Sequence, residues 1–244
     1  WEGPLVCPNV RAAGLACRCF VYGYMLTGRR DYLELARRWA WAGAAFIYLW
    51  GAPDRPAMPG ASISVMGTTF YTHPWFGAAV QWVGLVYAEA IQLLARYDSS
   101  FDWPRLAHLI VASALHQQKT EKAKCGHVGF LPDSYHLVRG EQYYEWCLAP
   151  TGIANNILNL RGIPPHAEPL VVRLPSGRVH IVSVARVDGW HVGADEVRLR
   201  LSYLPGQACQ LAVFGLSSLS GVRWQGRALR RTEDVLNAKE GWGP

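Results

Sequence analysis

No CxxC pair occurs anywhere in the chain, no uncharged apolar run is long enough to span a bilayer, and lysine is nearly missing. Each absence excludes something. The six cysteines stand alone at positions 7, 17, 19, 125, 147 and 209. Without paired thiols a structural zinc site is not expected, and no metal or cofactor is assigned. Cys17 and Cys19 would point to different faces of a helix, so most thiols are expected to be buried small hydrophobes. The longest uncharged apolar stretch, Trp39 to Pro53, falls short of the roughly 18–20 residues that cross a bilayer, and no membrane partner is expected. Of the 24 basic residues only Lys119, Lys122, Lys124 and Lys239 are lysine, and the net charge is +6. Arginines adjoin only at 29–30, 37–38 and 230–231, without a nucleic-acid motif, so nucleic acid is not an expected partner. The positive balance is either compositional bias or attraction to an anionic partner. The chain opens on Trp1 rather than Met. That is read as a missing N-terminus, which leaves cytoplasmic and secreted locations both open.

What is present is a globular balance, 50% hydrophobic and 17% charged. Val10, Ala13, Leu15, Ala16, Phe20, Val21, Tyr24 and Met25 give residues 9–27 a broad apolar helical face. Gly28 suits the position past a helix end. Asp31 followed by Glu34 resembles a capping box for a second helix, whose apolar spacing runs from Leu33 to Trp50. A long Gly-, Pro-, Ser- and Thr-rich loop is expected over 51–73, and a stretch so long is usually functional. Residues 75–96 form a nearly all-apolar helix. Asp102 caps the next, which starts at Trp103–Pro104 and runs to about Gln118. A second long loop, about 119–142, leads to a fifth helix over 143–161, and Pro164–Pro165 ends the helical part.

From residue 170 the apolar period becomes two: Val171-x-Arg173, Val179-x-Ile181-x-Ser183, Val197-x-Leu199-x-Leu201 and Leu211-x-Val213. Val222–Trp224 and Arg227–Leu229 around Gln225–Gly226 read as a hairpin. No closing strand follows, so the sheet is expected to be cut at an edge.

The repeated hairpins, with the wording Leu26–Thr27–Gly28–Arg29 and then Tyr32–Leu33–Glu34–Leu35–Ala36–Arg37–Arg38–Trp39–Ala40, resemble the repeats of (α/α)-toroid carbohydrate-active enzymes. These include many glycoside hydrolases and polysaccharide lyases. The tail around Val222–Leu229 is similar to the β-sandwich that often follows such a toroid. The resemblance implies an α+β multidomain chain. Residues 1–165 would be a helix-hairpin (α/α) toroid segment, and residues 166–244 a small antiparallel β-sandwich. Five helices are under half of a twelve-helix ring, so further chain segments are expected to complete it.

In such a ring the loops at one end carry the site, because the helices are used in packing. The first loop offers Trp50, Asp54, Arg55, Tyr71, His73 and Trp75, with Trp82 and Gln81 just beyond. Aromatic faces such as Trp50, Tyr71, Trp75 and Trp82 stack on sugar rings; alternatively they are core. Gln81 and Glu89 share one side of an apolar helix, facing either a wet lumen or a buried hydrogen-bond network. The second loop offers Asp133, Tyr135, His136 and Glu141, and His116 closes the helix before it. Two chemistries fit. A glycoside hydrolase needs two carboxylic groups across the scissile bond, for which Asp133 and Asp54 are the leading pair, with Glu2, Glu141 and Glu145 in reserve. A polysaccharide lyase on a uronate-containing glycan needs a Tyr or His base and a cation, for which Tyr71, His73, Tyr135, His136 and Arg55 would serve. A non-catalytic glycan-binding or structural module is the third possibility. An isoprenoid cyclase is disfavoured by the lack of an Asp-rich magnesium cluster. The expected partner is an oligo- or polysaccharide.

Overall fold

Asn9 opens the first helix by accepting a hydrogen bond from the Ala12 N–H at 2.7 Å on its side chain. In this computed structural model, residues 9–63, 78–120, 127–142, 147–235 and 237–243 are described. Helix α1 covers Val10–Thr27. Gly28 takes a left-handed φ of 72°, which lets its N–H reach the Tyr24 carbonyl and close the helix. Helix α2, Arg30–Ala44, departs from the sequence expectation at both ends. Asp31 does not cap it. Arg29, extended after the left-handed glycine, takes the cap position, and the Asp31 carboxylate pairs with the Arg29 guanidinium at 2.5 Å. At the other end the helix stops before Phe46, Ile47 and Trp50, although all three keep its spacing. The N–H groups of Phe46 and Ile47 turn back three residues, and Ile47 then pairs with Ser62. Strand-like pairing across the loop overrides the helical period.

Helices α3 (Gln81–Leu94) and α4 (Trp103–Gln117) form the second hairpin. The expected start of α3 at 75 is not met. Ala78–Ala79 is strand β1, and residues 64–77 lie outside the described residues. Asp102 caps α4 as expected, accepting from the Arg105 N–H at 3.1 Å. Helix α5 is Thr151–Leu160, shorter than the expected 143–161. The residues before it are extended: β5 (Cys147–Leu148) pairs with β2 (Leu131–Pro132), and Pro150, with no N–H to lose, stands at the cap.

Helix α3 is the centre of the first core. Val83, Leu85, Tyr87, Ile91 and Leu94 are buried on it, each such side chain worth about 1.5–3 kcal/mol. Helix α1 runs parallel to it. Gly14 lies so close to α3 that a Cβ there would sit 2.8 Å from the Tyr87 Cα. Arg18 meets Glu89 at 2.6 Å further along. Gly43 of α2 makes room for the Tyr87 ring, whose hydroxyl donates to the Ala40 carbonyl at 2.6 Å. Below α3, Asp98 accepts from Arg37, Ser100 and Trp103 at 2.8–3.1 Å and ties three elements together. Burial alone would raise its carboxyl, but the Trp103, Arg37 and Ser100 bonds hold it below the ordinary value.

At the opposite end of α3 the described parts of the two long loops meet. Tyr48 and Ala61, and Phe46 and Ile63, are bonded across the base of the first loop. Gly60, at φ 82°, presses against the Leu109 carbonyl, where a Cβ has no room. Strands β3 (Tyr135–His136) and β4 (Glu141–Gln142) join β1 in an antiparallel sheet ordered β1-β3-β4. Ala57 and Ala61 from the first loop, Ala79 from β1 and Leu137 from the second loop form a small core beneath it. Among the described residues there are five helices, and they do not close a ring. No helix among them is long and apolar enough to cross a membrane.

The chain divides into units Trp1–Pro165 and His166–Pro244. In the second, β6 (Glu168–Leu174), β7 (Gly177–Ser183) and β10 (Leu211–Phe214) form one antiparallel sheet, ordered β10-β7-β6. The hairpin β8–β9 (Arg186–Val192 and Val197–Ser202) adds Val187, Val192, Val197 and Leu199 to the core of Leu170, Val172, Val179 and Ile181. Strands β11 (Arg223–Trp224) and β12 (Arg227–Ala228) are the expected last hairpin. Gln225 and Gly226 at its turn both take positive φ, 51° and 83°, as a two-residue hairpin turn favours.

Candidate functional site

Gln81 and Trp82 begin α3 and face different surroundings. The Gln81 carbonyl oxygen accepts from the Ser62 N–H and the Gln117 amide, both at 3.0 Å. Its amide donates to the Gly60 and Ile110 carbonyls at 3.0 and 2.8 Å. Ser113 extends the network to Gln117 at 2.9 Å and to the Ala57 carbonyl at 2.5 Å. All the hydrogen-bonding capacity of Gln81 goes into holding the first loop onto α3 and α4. Of the two sequence readings of this residue, the buried network is the one the structure contains. Glu89, its companion there, is the partner of Arg18.

Trp82 is only half-buried, and its indole N–H donates to the Asp133 carboxylate at 3.3 Å. The Arg11 guanidinium lies over the same ring, 5.7 Å from its centroid. Asp133 sits in the bend between β2 and β3, so two residues later the chain enters the β1-β3-β4 sheet. There Tyr135 stands opposite Gln142 and Ala79, and His136 opposite Glu141 and Ala78. The His136 Nδ1 accepts the Arg139 N–H at 3.2 Å, which fixes the imidazole over the β3–β4 turn. Directly opposite side chains share a face of a sheet, so the His136 imidazole and the exposed Glu141 carboxylate are neighbours. Tyr135 packs into the small core below, and burial raises its phenol above the ordinary value.

The remaining candidates are more scattered. Asp54 is exposed and pairs only loosely with Arg55, at 3.7 Å. Trp50 is 64% exposed and meets Tyr48 edge-on at 5.2 Å. His116 is exposed in the last turn of α4. Tyr71, His73 and Trp75, with the reserve carboxylates Glu2 and Glu145, lie outside the described residues.

The chain matches no family model, no curated protein and no solved structure. The geometry therefore has to carry the reading. It brings Asp133, Trp82, Tyr135, His136 and Glu141 onto one stretch of loop and sheet beside the start of α3. No group of three or more His, Cys, Asp or Glu that could hold a metal occurs among the described residues. Sequence reasoning missed Arg11. A signal for it was present: Arg11 and Arg18 stand seven apart on an otherwise apolar helix, as do Trp82 and Glu89 on α3. Two helical turns separate each pair, so the four side chains match up across the α1–α3 contact.

Proposed function

We propose that the chain is carbohydrate-active and cleaves glycosidic bonds in an oligo- or polysaccharide through a pair of carboxylic groups, Asp133 being one. The observation that carries this reading is the Asp133 carboxylate held by the Trp82 indole N–H on a half-buried aromatic surface. A donated hydrogen bond suits the ionised carboxylate, which gives Asp133 the part of base or nucleophile. Asp54 and Glu141 are the candidates for the proton donor. The exposed Trp50 offers an aromatic face to a sugar ring. In the lyase alternative Tyr135 would act as base, and its raised phenol weighs against that role at neutral pH. The finer architecture belongs to the same proposal. The two hairpins would be successive repeats of an (α/α) toroid, with α1 and α3 parallel as repeats in a ring would be. Further segments would complete the ring, and the second unit would be a β-sandwich.

The test is release of reducing ends from a panel of polysaccharides by the full chain and by Asp133→Asn, Asp54→Asn and Glu141→Gln. Hydrolysis lost in Asp133→Asn and in one of the other two supports the reading and names the pair. Unchanged turnover in Asp133→Asn overturns it. Tryptophan fluorescence that shifts on glycan binding without any turnover replaces it with the binding-module reading.

A further inference from the structure

Strand β10, Leu211–Phe214, is an edge of the β10-β7-β6 sheet, and among the described residues nothing pairs with its outer side. Of this unit only residues 236 and 244 lie outside the described ones. Directly opposite residues of an antiparallel pair share a face. Leu211 stands opposite Ser183 and Val213 opposite Ile181, so both lie on the face that carries the core. Yet Ile181 is 3% exposed and Val213 42%. The core face thus runs on, uncovered, to the rim of the sheet. The apolar surface continues past Gly215 with Leu216 and Leu219, both exposed. Edge strands are normally guarded by charge, proline or a bulge. Strand β6, the opposite edge of the sheet, has Glu168 and Arg173, β8 has Arg186 and Asp188, and β9 has Arg198 and Arg200. Strand β10 has no charge, no proline and an unbroken register with β7. Around it no charged residue and no histidine occurs from Leu201 to Val222.

We infer that β10 pairs antiparallel with the β10 of a second copy of this chain about a twofold axis, joining two three-stranded sheets into one of six. The strand is complementary to itself. With Ala212 on the axis, Leu211 stands opposite the partner copy's Val213, so core face meets core face, and the small alanines meet at the centre. One pairing closes both free edges at once, as a twofold contact does, and leaves no edge along that seam to grow from. Charge points to the same occupant. Two copies that each carry +6 repel, and they approach most readily through a surface without charge. Depletion of charged side chains with exposed large apolar ones is also the composition of an interface core.

Sedimentation velocity on the full chain from about 1 to 100 μM tests this, because a short strand pairing gives a small interface. The wild type is expected to pass from monomer to twice the monomer mass as concentration rises. Ala212→Lys sets two ammonium groups against each other on the axis, and Val213→Lys puts a charge on the apolar strip. Each should weaken association by about tenfold or more, since like charges brought together across an interface are costly. Both positions are exposed in the single chain, so both variants should keep the wild-type circular dichroism spectrum. If Val213→Lys does not fold, Ala212→Lys decides the matter. A wild type that stays monomeric at every concentration overturns the inference and leaves the edge to a strand of another kind. A dimer that both variants leave unchanged overturns the role of β10. Assembly beyond two copies overturns the twofold pairing.

Discussion

Gln81 and Trp82 are consecutive residues of α3, yet one is buried in a hydrogen-bonded network and the other is half-buried beside a carboxylate. Around Gln81 every polar group has its partner, and the effect is mechanical: the first loop is fastened to two helices. Around Trp82 the indole N–H holds the Asp133 carboxylate on one side, and the guanidinium of Arg11, which makes no ion pair with any described residue, lies over the ring. A fully satisfied buried polar network rigidifies the elements it joins. The difference separates a polar residue that fastens the first loop from the carboxylate that the proposed function takes as reactive.

The comparison breaks most sharply at Asp133. Asp133→Asn is expected to reduce turnover on a cleaved glycan by about a thousandfold, the scale of losing a catalytic base, with little change in denaturation midpoint. Steady-state rates beside a urea titration separate the two effects. Gln81→Leu should behave in the opposite way. It strands the Ser62 N–H, the Gln117 amide and two carbonyls, and should cost about 3 kcal/mol, read as a fall in the urea midpoint. If Gln81→Leu is as stable as wild type, the network is not structural.

Asp98 sharpens the mechanical side through pH. Its folded carboxyl titrates below the ordinary value despite burial, because Trp103, Arg37 and Ser100 bond to the ionised form. A group with a depressed folded value contributes stability that is fully present above the unfolded value. That contribution is lost as pH falls through the folded one. Thermal unfolding from pH 7 downward should show this acid loss in the wild type. Asp98→Asn should start about 1–3 kcal/mol less stable and show a flatter profile. An identical slope in both proteins would place the acid sensitivity elsewhere. The smallest effect is expected at Trp82→Phe. It keeps the aromatic face but removes the N–H, so turnover should fall about tenfold, roughly 1.4 kcal/mol, while stability stays within about 1 kcal/mol. A loss as large as that of Asp133→Asn would mean that the indole does more than hold the carboxylate.

Much of the fold was legible where local chemistry is decisive. Gly28 as a helix end, Asp102 as a cap and the turn at Gln225–Gly226 each act through one residue's own backbone or side chain, so the sequence is enough. It was less legible where distant segments compete. Phe46, Ile47 and Trp50 keep helical spacing, yet pairing of Ile47 with Ser62 ends α2 at Ala44. Residues 147–148 join a strand because Leu131–Pro132 is available to pair with them. In the site, Asp133 and Trp82 stood among the candidates from residue type alone, but their bond joins residues 51 positions apart. Arg11 is not legible as a neighbour of Trp82 from the sequence, because an arginine on a helix looks like a solvated side chain until the residue packed against it is known.

The sequence by itself therefore determined the helical and strand-forming parts and the helix ends set by glycine and aspartate. These follow from propensities and periodicities that act over a few residues. Only the tertiary structure decided which polar groups are used up. The packing of α1 along α3 gave Glu89 to Arg18 and left Arg11 with an aromatic ring, and no local rule distinguishes those two arginines.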